Sequence, residues 1–288
     1  MRTKLKITVI SVIVIIIILA VSCIFDEFMP YVTKGKLLVE FVDVGDADCT
    51  FIKTPDGKTA LIDGGNPWNL REVHNTLKKY NIKKIDFLIN SHPHDDHIGT
   101  FYKLFDLYSI GACYMPKTEY ACEALDLFSE KAAEKNIKVN YIKRGDTILD
   151  GEVKIEVLSP YQEYYMEEND YSSVCLLTYK EKSFLFMGDM GKYHSNTLVV
   201  DYGLGECDVL KVSHHGSNDG TSGFFLEEVR PKYAVVPCGN EYDDRPDEKL
   251  VSRFERLGIN YYVTRDLGNI TMITDGIDIE IKTEREKK

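Results

Sequence analysis

Three short apolar runs in this chain each stop abruptly on residues that carry charge or bind metal. Residues 85–90 run into Ser91-His92-Pro93-His94-Asp95-Asp96-His97. Phe184-Leu185-Phe186-Met187 runs into Gly188-Asp189. Val209-Leu210-Lys211-Val212 runs into Ser213-His214-His215-Gly216-Ser217. Runs of four to six apolar residues bounded by turn signals read as buried strands. Helical segments at residues 67–80, 119–135, 192–200, 222–229 and 247–257 alternate with further strands, so the chain is expected to fold as an α/β layered domain. In such folds ligands gather at strand ends, where these histidines and aspartates stand. Pro67 suits a first helical turn, and Asp275-Gly276 suits a hairpin turn between strands at 270–273 and 277–282.

The first cluster is the most specific. The chain has seven histidines, and three of them fall within six positions in the pattern His-x-His-x-Asp-His. Imidazole nitrogens and carboxylate oxygens are common ligands of zinc and related divalent ions. A loop leaving a strand end can splay such side chains toward one point. His92 and His94 fall on the same side of an extended segment, while Asp96 and His97 follow after a turn. Taken alone, Gly188-Asp189 reads as a turn and His214-His215 as a surface pair. Beside the first cluster they read as further ligands.

Composition narrows the partners. The net charge is −11, with 44% apolar and 28% charged residues. That suits a globular core and excludes the broad basic face of a non-specific nucleic-acid binder. An anionic substrate must be held locally. Residues 1–25 combine basic Arg2, Lys4 and Lys6 with an apolar run from Ile7 to Phe25, long enough to span a bilayer. The basic start places that end in the cytoplasm. The expected organisation is an anchor or signal peptide at 1–25, a tether at 26–36, a hydrolase domain at 37–282 and a charged, frayed tail at 283–288. The catalytic domain would then be extracellular, on a single N-terminal membrane anchor. A secreted form, or a lipoprotein processed at Cys23, are the other outcomes. Of the seven cysteines, none form a CxxC pair, which excludes zinc-finger spacing. On an oxidising exterior the six cysteines beyond Cys23 would pair as disulfides, while those inside apolar strands, such as Cys175, read as buried thiols.

As an ordered set these motifs resemble the metallo-β-lactamase superfamily. More narrowly, they resemble the hydrolase domain of ComEC-type DNA-uptake competence proteins and their stand-alone relatives. The resemblance rests on Asp43-Val44-Gly45-Asp46-Ala47-Asp48, Leu61-Ile62-Asp63-Gly64-Gly65, His92-x-His94-x-Asp96-His97, Asn169-Asp170-Tyr171-Ser172, Gly188-Asp189, Ser213-His214-His215-Gly216-Ser217 and Gly239-Asn240-Glu241-Tyr242 before Pro246. It covers about residues 37–275. It implies a four-layer αββα sandwich with the metal site at one edge, and it implies roles by position. His92 and His94 hold a first metal ion. Asp96 and His97 hold a second, with His214 as a further ligand and His215 the other candidate for that place. Asp189 bridges both ions, Asp63 orients a ligand, and Asp96 and Asp189 serve catalysis. Asn169 and Ser172 stand where the superfamily has its third histidine motif, and no histidine occurs between His97 and His194. Ser217, Asn240 and Tyr242 either line the substrate side or cap turns in their own loops.

The implied cofactor is one or two divalent ions, zinc or manganese. The implied activity is an exported, membrane-tethered phosphodiesterase or nuclease acting on single-stranded DNA or another phosphodiester. Hydrolysis of a lactone, thioester or β-lactam, and a non-catalytic surface module, are the rival expectations. No protein partner is inferred.

Overall fold

A computed structural model of the protein describes residues 35–242 and 244–286. The apolar segment at 1–25 and the tether to residue 34 lie outside the described residues. Among the described residues no helix is long and apolar enough to cross a membrane.

The strands in chain order are β1 (Leu37–Phe41), β2 (Thr50–Lys53), β3 (Thr59–Ile62), β4 (Lys84–Ile89), β5 (Ser109–Pro116), β6 (Val139–Ile142), β7 (Thr147–Leu149), β8 (Val153–Val157), β9 (Cys175–Tyr179), β10 (Lys182–Phe186), β11 (Val209–Lys211), β12 (Tyr233–Val236), β13 (Asn260–Val263), β14 (Ile270–Thr274) and β15 (Ile279–Thr283). They form two mixed sheets. One has the order β15-β14-β1-β2-β3-β4-β5-β6 and the other β13-β12-β11-β10-β9-β8-β7. The β3–β4 and β10–β11 pairs are both parallel, so in each sheet two neighbouring strands end on the same side.

Alternation along the strands explains the layering. In β1, Leu37, Val39 and Phe41 join the same apolar cluster as Ile155, Val157, Leu177 and Phe186 of the other sheet. That cluster is the seam between the sheets. Helices cover the outer faces. Buried Val73 and Leu77 lie on α1 (Leu70–Lys79), Leu104 on α3 (Phe101–Leu107) and Phe128 on α4 (Glu123–Glu134), with α2 (Asp95–Ile98) preceding α3. On the second sheet, Leu198 of α5 (Lys192–Val200), Phe225 of α6 (Gly223–Val229) and Phe254 of α7 (Glu248–Leu257) share a cluster with Leu185, Leu210 and Ala234. A short α8 (Thr264–Leu267) leads into β14. Helices outside two packed sheets give the expected αββα order.

Three local readings differ from expectation. Helix α1 begins at Leu70 rather than Pro67, because Asn66 N–H is bonded to the Asn69 side chain 2.9 Å away in a turn that precedes it. The histidine segment is not a plain loop: His94 is extended and α2 starts immediately after it. The C-terminal end is held rather than frayed as far as Arg285. Its N–H donates to Leu267 O at 2.8 Å and its guanidinium to Asp43 at 2.6 Å.

Candidate metal centre

Four strand ends converge on one point. Asp63 follows β3, the segment Asn90–His97 follows β4, Gly188-Asp189 follows β10, and Ser213–His215 follows β11. The backbone there is unusual. Asp63, His214 and His215 have φ of 57°, 50° and 51°, a region that costs a non-glycine residue about 1–3 kcal/mol. Gly188 has φ of 54°, and a Cβ there would lie 2.7 Å from Ser172 Oγ and 2.9 Å from Ser91 Cβ. Only glycine lets the strand end turn Asp189 inward at this spot.

The donors face one another. His97 Nε2 is 3.2 Å from Asp189 Oδ2 and 3.7 Å from Asp96 Oδ2. His215 Nε2 is 3.2 Å from Asp96 Oδ2 and 3.4 Å from Asp189 Oδ2. One ligand atom from each of Asp96, His97, Asp189 and His215 lies within 4.8 Å of the others, and Asp48, Asp63 and His97 form a second such group. The other imidazole nitrogens are tied back. His97 Nδ1 donates to Asp63 Oδ2 at 2.9 Å, and His215 Nδ1 donates to the Pro237 carbonyl at 3.2 Å. Those bonds orient each ring with Nε2 toward the cluster. Asp63 is itself fixed by Ser91 N–H at 2.7 Å and the Asn90 amide at 3.2 Å.

The donor set fits a cation. His97 Nε2 and Asp189 Oδ1 are buried without a hydrogen-bond partner, a costly state unless another group satisfies them. Burial alone pulls an imidazole toward neutrality. At His97, Asp189, Asp96 and Asp63 outweigh burial and hold the pKa well above its ordinary value. At His215, Asp189 and Asp96 likewise outweigh burial and raise it. Burial pushes the Asp96 and Asp189 carboxyls up, but the two imidazoles prevail and hold both below the usual carboxylate range. The centre thus collects positive charge, which protons supply when metal does not.

His92 and His94 are arranged differently. His92 is fully buried, and burial drives its pKa well below the ordinary value. Its Nε2 lies 3.0 Å from His94 Nδ1, and His94 Nε2 is 3.1 Å from Glu168 Oε2. The His92 ring packs 4.1 Å from the His97 ring. The pair therefore borders the four-donor cluster without joining it. His214 sits at the rim: its Nε2 is 3.9 Å from Asp189 Oδ2 and its Nδ1 3.1 Å from Asp219. Between the two histidines anticipated for one ligand position, His215 is the one whose nitrogen enters the cluster.

The remaining expected residues spread around this core. Ser172 Oγ accepts from Asp189 N–H at 2.9 Å and donates to Asn169 O at 2.6 Å, so the Asn169–Ser172 element braces Asp189. Ser217 pairs with Asp219. Asn240 and Tyr242 are exposed, and the Arg245 guanidinium lies 4.1 Å over the Tyr242 ring with one nitrogen 3.5 Å from His214 Nε2.

Two participants were missed from sequence. Asp48 and Lys211 are both buried, and the Lys211 ammonium contacts the Asp48 carboxylate. Lys211 also donates to Gly188 O at 3.0 Å and lies 3.9 Å from Asp189 Oδ1. Burial pulls its pKa well below the usual lysine range. The available signals were a lysine inside an otherwise apolar strand and the third acid of Asp43-Val44-Gly45-Asp46-Ala47-Asp48.

Comparison with known proteins bears on the family and the fold. A family profile described as the metallo-beta-lactamase superfamily matches residues 42–240. The chain is 26% identical over 250 residues to ComE operon protein 3 of Bacillus subtilis, covering 81% of this chain and 32% of that protein. It is 29% identical over 240 residues to competence protein ComA of Neisseria gonorrhoeae, covering 82% of this chain and 32% of the relative. Recombination protein 2 of Haemophilus influenzae matches at 29% over 212 residues, 72% of this chain and 25% of that protein. The chain thus spans between a quarter and a third of the length of these relatives. Among solved structures, the metallo-beta-lactamase fold protein YhfI from Bacillus subtilis superposes with a TM-score of 0.59 at 12% identity, covering 83% of this chain and all of that one.

Proposed function

Because the chain belongs to the metallo-β-lactamase superfamily and is related to ComEC-type competence proteins, we propose that residues 37–282 form a metal-dependent phosphodiesterase that cleaves nucleic acid. In this reading residues 1–25 anchor it to the cell membrane with the hydrolase domain outside. The observation that carries the proposal is the meeting of Asp96, His97, Asp189 and His215, with His97 Nε2 and Asp189 Oδ1 buried and making no hydrogen bond.

These four residues would hold a divalent ion, zinc or manganese, with His92, His94 and His214 available around a second. Such an ion supplies a Lewis-acid centre that acidifies water and neutralises charge developing on phosphoryl oxygens. The chain's own groups do the rest. Asp63 and the Pro237 carbonyl hold His97 and His215 in the tautomers that present Nε2. Asp96 has 29% side-chain exposure against 2% or less for Asp189, His97 and His215. It is the most solvent-exposed of the four, and its carboxylate would orient the attacking water as well as coordinate the ion. Lys211 and Asp48 offset one another behind the cluster. Arg245 places a planar cation at the rim beside His214, where it meets the phosphodiester anion. A neutral lactone would draw little from that cation, so Arg245 favours the phosphodiester over a carbonyl substrate.

The test is a panel of single-stranded DNA, a bis-aryl phosphate and a lactone, each with added Mn²⁺ or Zn²⁺. The expected result is cleavage of the DNA and the bis-aryl phosphate, lost in Asp189→Asn. Arg245→Ala should lower kcat/KM for the phosphodiesters by roughly 10- to 100-fold, the scale of one charged hydrogen bond. DNA left intact under every metal condition, with the lactone turned over, would give the site to carbonyl hydrolysis.

A further inference from the structure

Two segments that reach His94, through Tyr120 and Glu168, continue into the lining of a cavity of about 850 Å³ that is rich in tyrosine and cations. We propose that it is a strand-binding groove, which holds the bases and backbone flanking the phosphodiester under attack. This rests on the phosphodiesterase reading above and extends it to how the polymer is held.

Its chemistry is the first argument. Tyr164 is 71% exposed and Tyr202 39% exposed, large rings left in solvent at the edge of a built cavity. Arg144 stacks its guanidinium 4.0 Å over the Tyr202 ring. Lys117 and Lys143 add two more cations, against two acids, Glu119 and Glu163. The lining is therefore net positive in a chain of net charge −11. An open ring at Tyr164 beside the Arg144–Tyr202 stack, with lysines around them, suits a single nucleic-acid strand, because every base offers a π-face to a ring or guanidinium and every nucleotide a phosphate. A duplex, with its bases already stacked, could not use the rings.

Continuity with the metal centre is the second. Lys117–Glu119 on the cavity wall lead directly into Tyr120, whose ring meets the His94 ring edge-on at 5.0 Å. On the other wall, Tyr171 follows Glu168, which is paired with His94 at 3.1 Å. Both walls thus lead to the same histidine.

Hydrogen bonds also link the wall to the segment that follows Asp189. Tyr161 OH is 2.5 Å from His194 Nδ1, and Tyr165 OH accepts from Tyr161 N–H at 2.8 Å and Gln162 N–H at 3.0 Å. Asp170 Oδ1 accepts from Gly191 N–H at 2.9 Å, two residues beyond Asp189. A strand lying on these tyrosines would be held at a fixed offset from the cluster.

The test is binding of a fluorescein-labelled oligothymidylate of about ten nucleotides, the size range of one such groove, followed by anisotropy with full-length protein in EDTA so that nothing is cut. Tyr164→Ala with Tyr202→Ala should weaken binding at least about tenfold, and Arg144→Ala about fivefold. An abasic strand of the same length should bind the unaltered protein about tenfold more weakly than the thymidylate. In the metal-loaded protein, hydrolysis of a bis-aryl phosphate should be unchanged by the same substitutions, since that small substrate does not reach the groove. No binding by the unaltered protein, full affinity in the tyrosine double variant, or equal affinity for the abasic strand would each overturn the groove. Absence of phosphodiester cleavage with any metal defeats the phosphodiesterase reading alone, because the binding result is read in EDTA.

Discussion

His97 illustrates how much a single residue's neighbours decide. Its Nδ1 belongs to Asp63 and its Nε2 faces Asp189 and Asp96. With four acids and two imidazoles drawn together, a proton or a metal ion must supply the missing charge. The sign of the pH effect follows. The raised pKa values of His97 and His215 mean that metal-free protein gains stability from these protons below the unfolded imidazole value of about 6.5 and loses it as pH rises through the higher folded values. Metal competes with the same protons, so its affinity falls as pH drops through that folded range. Melting temperatures of EDTA-treated and metal-loaded protein from about pH 6 to 9 should therefore diverge, with the gap between them widening toward high pH. A gap independent of pH would remove His97 and His215 from the ligand set.

At the scale of elements, the design is a strand that stops and turns. After β10 the chain must reverse within Gly188 to aim Asp189 at His97 and His215, and Ser172 holds the Asp189 amide. A methyl group at Gly188 meets both a positive φ and the Ser172 and Ser91 side chains. Gly188→Ala should cost about 1–3 kcal/mol and weaken metal binding together with stability. Adding Ser172→Gly removes the nearest clash and should recover part of the stability, though not the Asp189 amide bond. The comparison is a denaturant titration of both variants with metal affinity measured in parallel. Recovery of neither quantity would show that φ, rather than contact, sets the cost. In the same element Asn169 and Ser172 brace Asp189 through its backbone amide.

On the scale of the whole molecule, the site exists because two sheets close on each other. Leu37, Val39 and Phe41 pack against Val157, Leu177 and Phe186, and that seam brings the ends of β3 and β4 to the ends of β10 and β11. The seam and the outer layers also hold the cysteines. None of the six described cysteines is in a disulfide, and all but Cys122 are buried. Burial pushes the Cys113, Cys175 and Cys238 thiols up to about 12. These thiols stay protonated at neutral pH and should react with iodoacetamide only on unfolding. Mass spectrometry of native protein should find Cys122 as the sole alkylated site among the described cysteines. Rapid native labelling of Cys175 would contradict the closed seam.

What the sequence determined by itself was local. Apolar runs ending in histidine and aspartate gave the strands, their ends and the residue types gathered there, because periodicity and punctuation are read within a few residues. Asp96, His97 and Asp189 were visible in that way, whereas Asp63 entered only through the family resemblance of Leu61–Gly65. Contacts between distant segments needed the tertiary structure. Whether His214 or His215 enters the cluster depends on left-handed backbone at both positions, which neighbouring letters do not encode. Asp48 and Lys211 are 163 positions apart in the chain, and only the packing of one sheet against the other places their charges in contact. The opening motif, His92 to His97, divides in the folded chain. Helix α2 turns Asp96 and His97 into the four-donor cluster, while His92 and His94 pair with each other beside it, because a one-turn helix after an extended residue sends successive side chains in different directions.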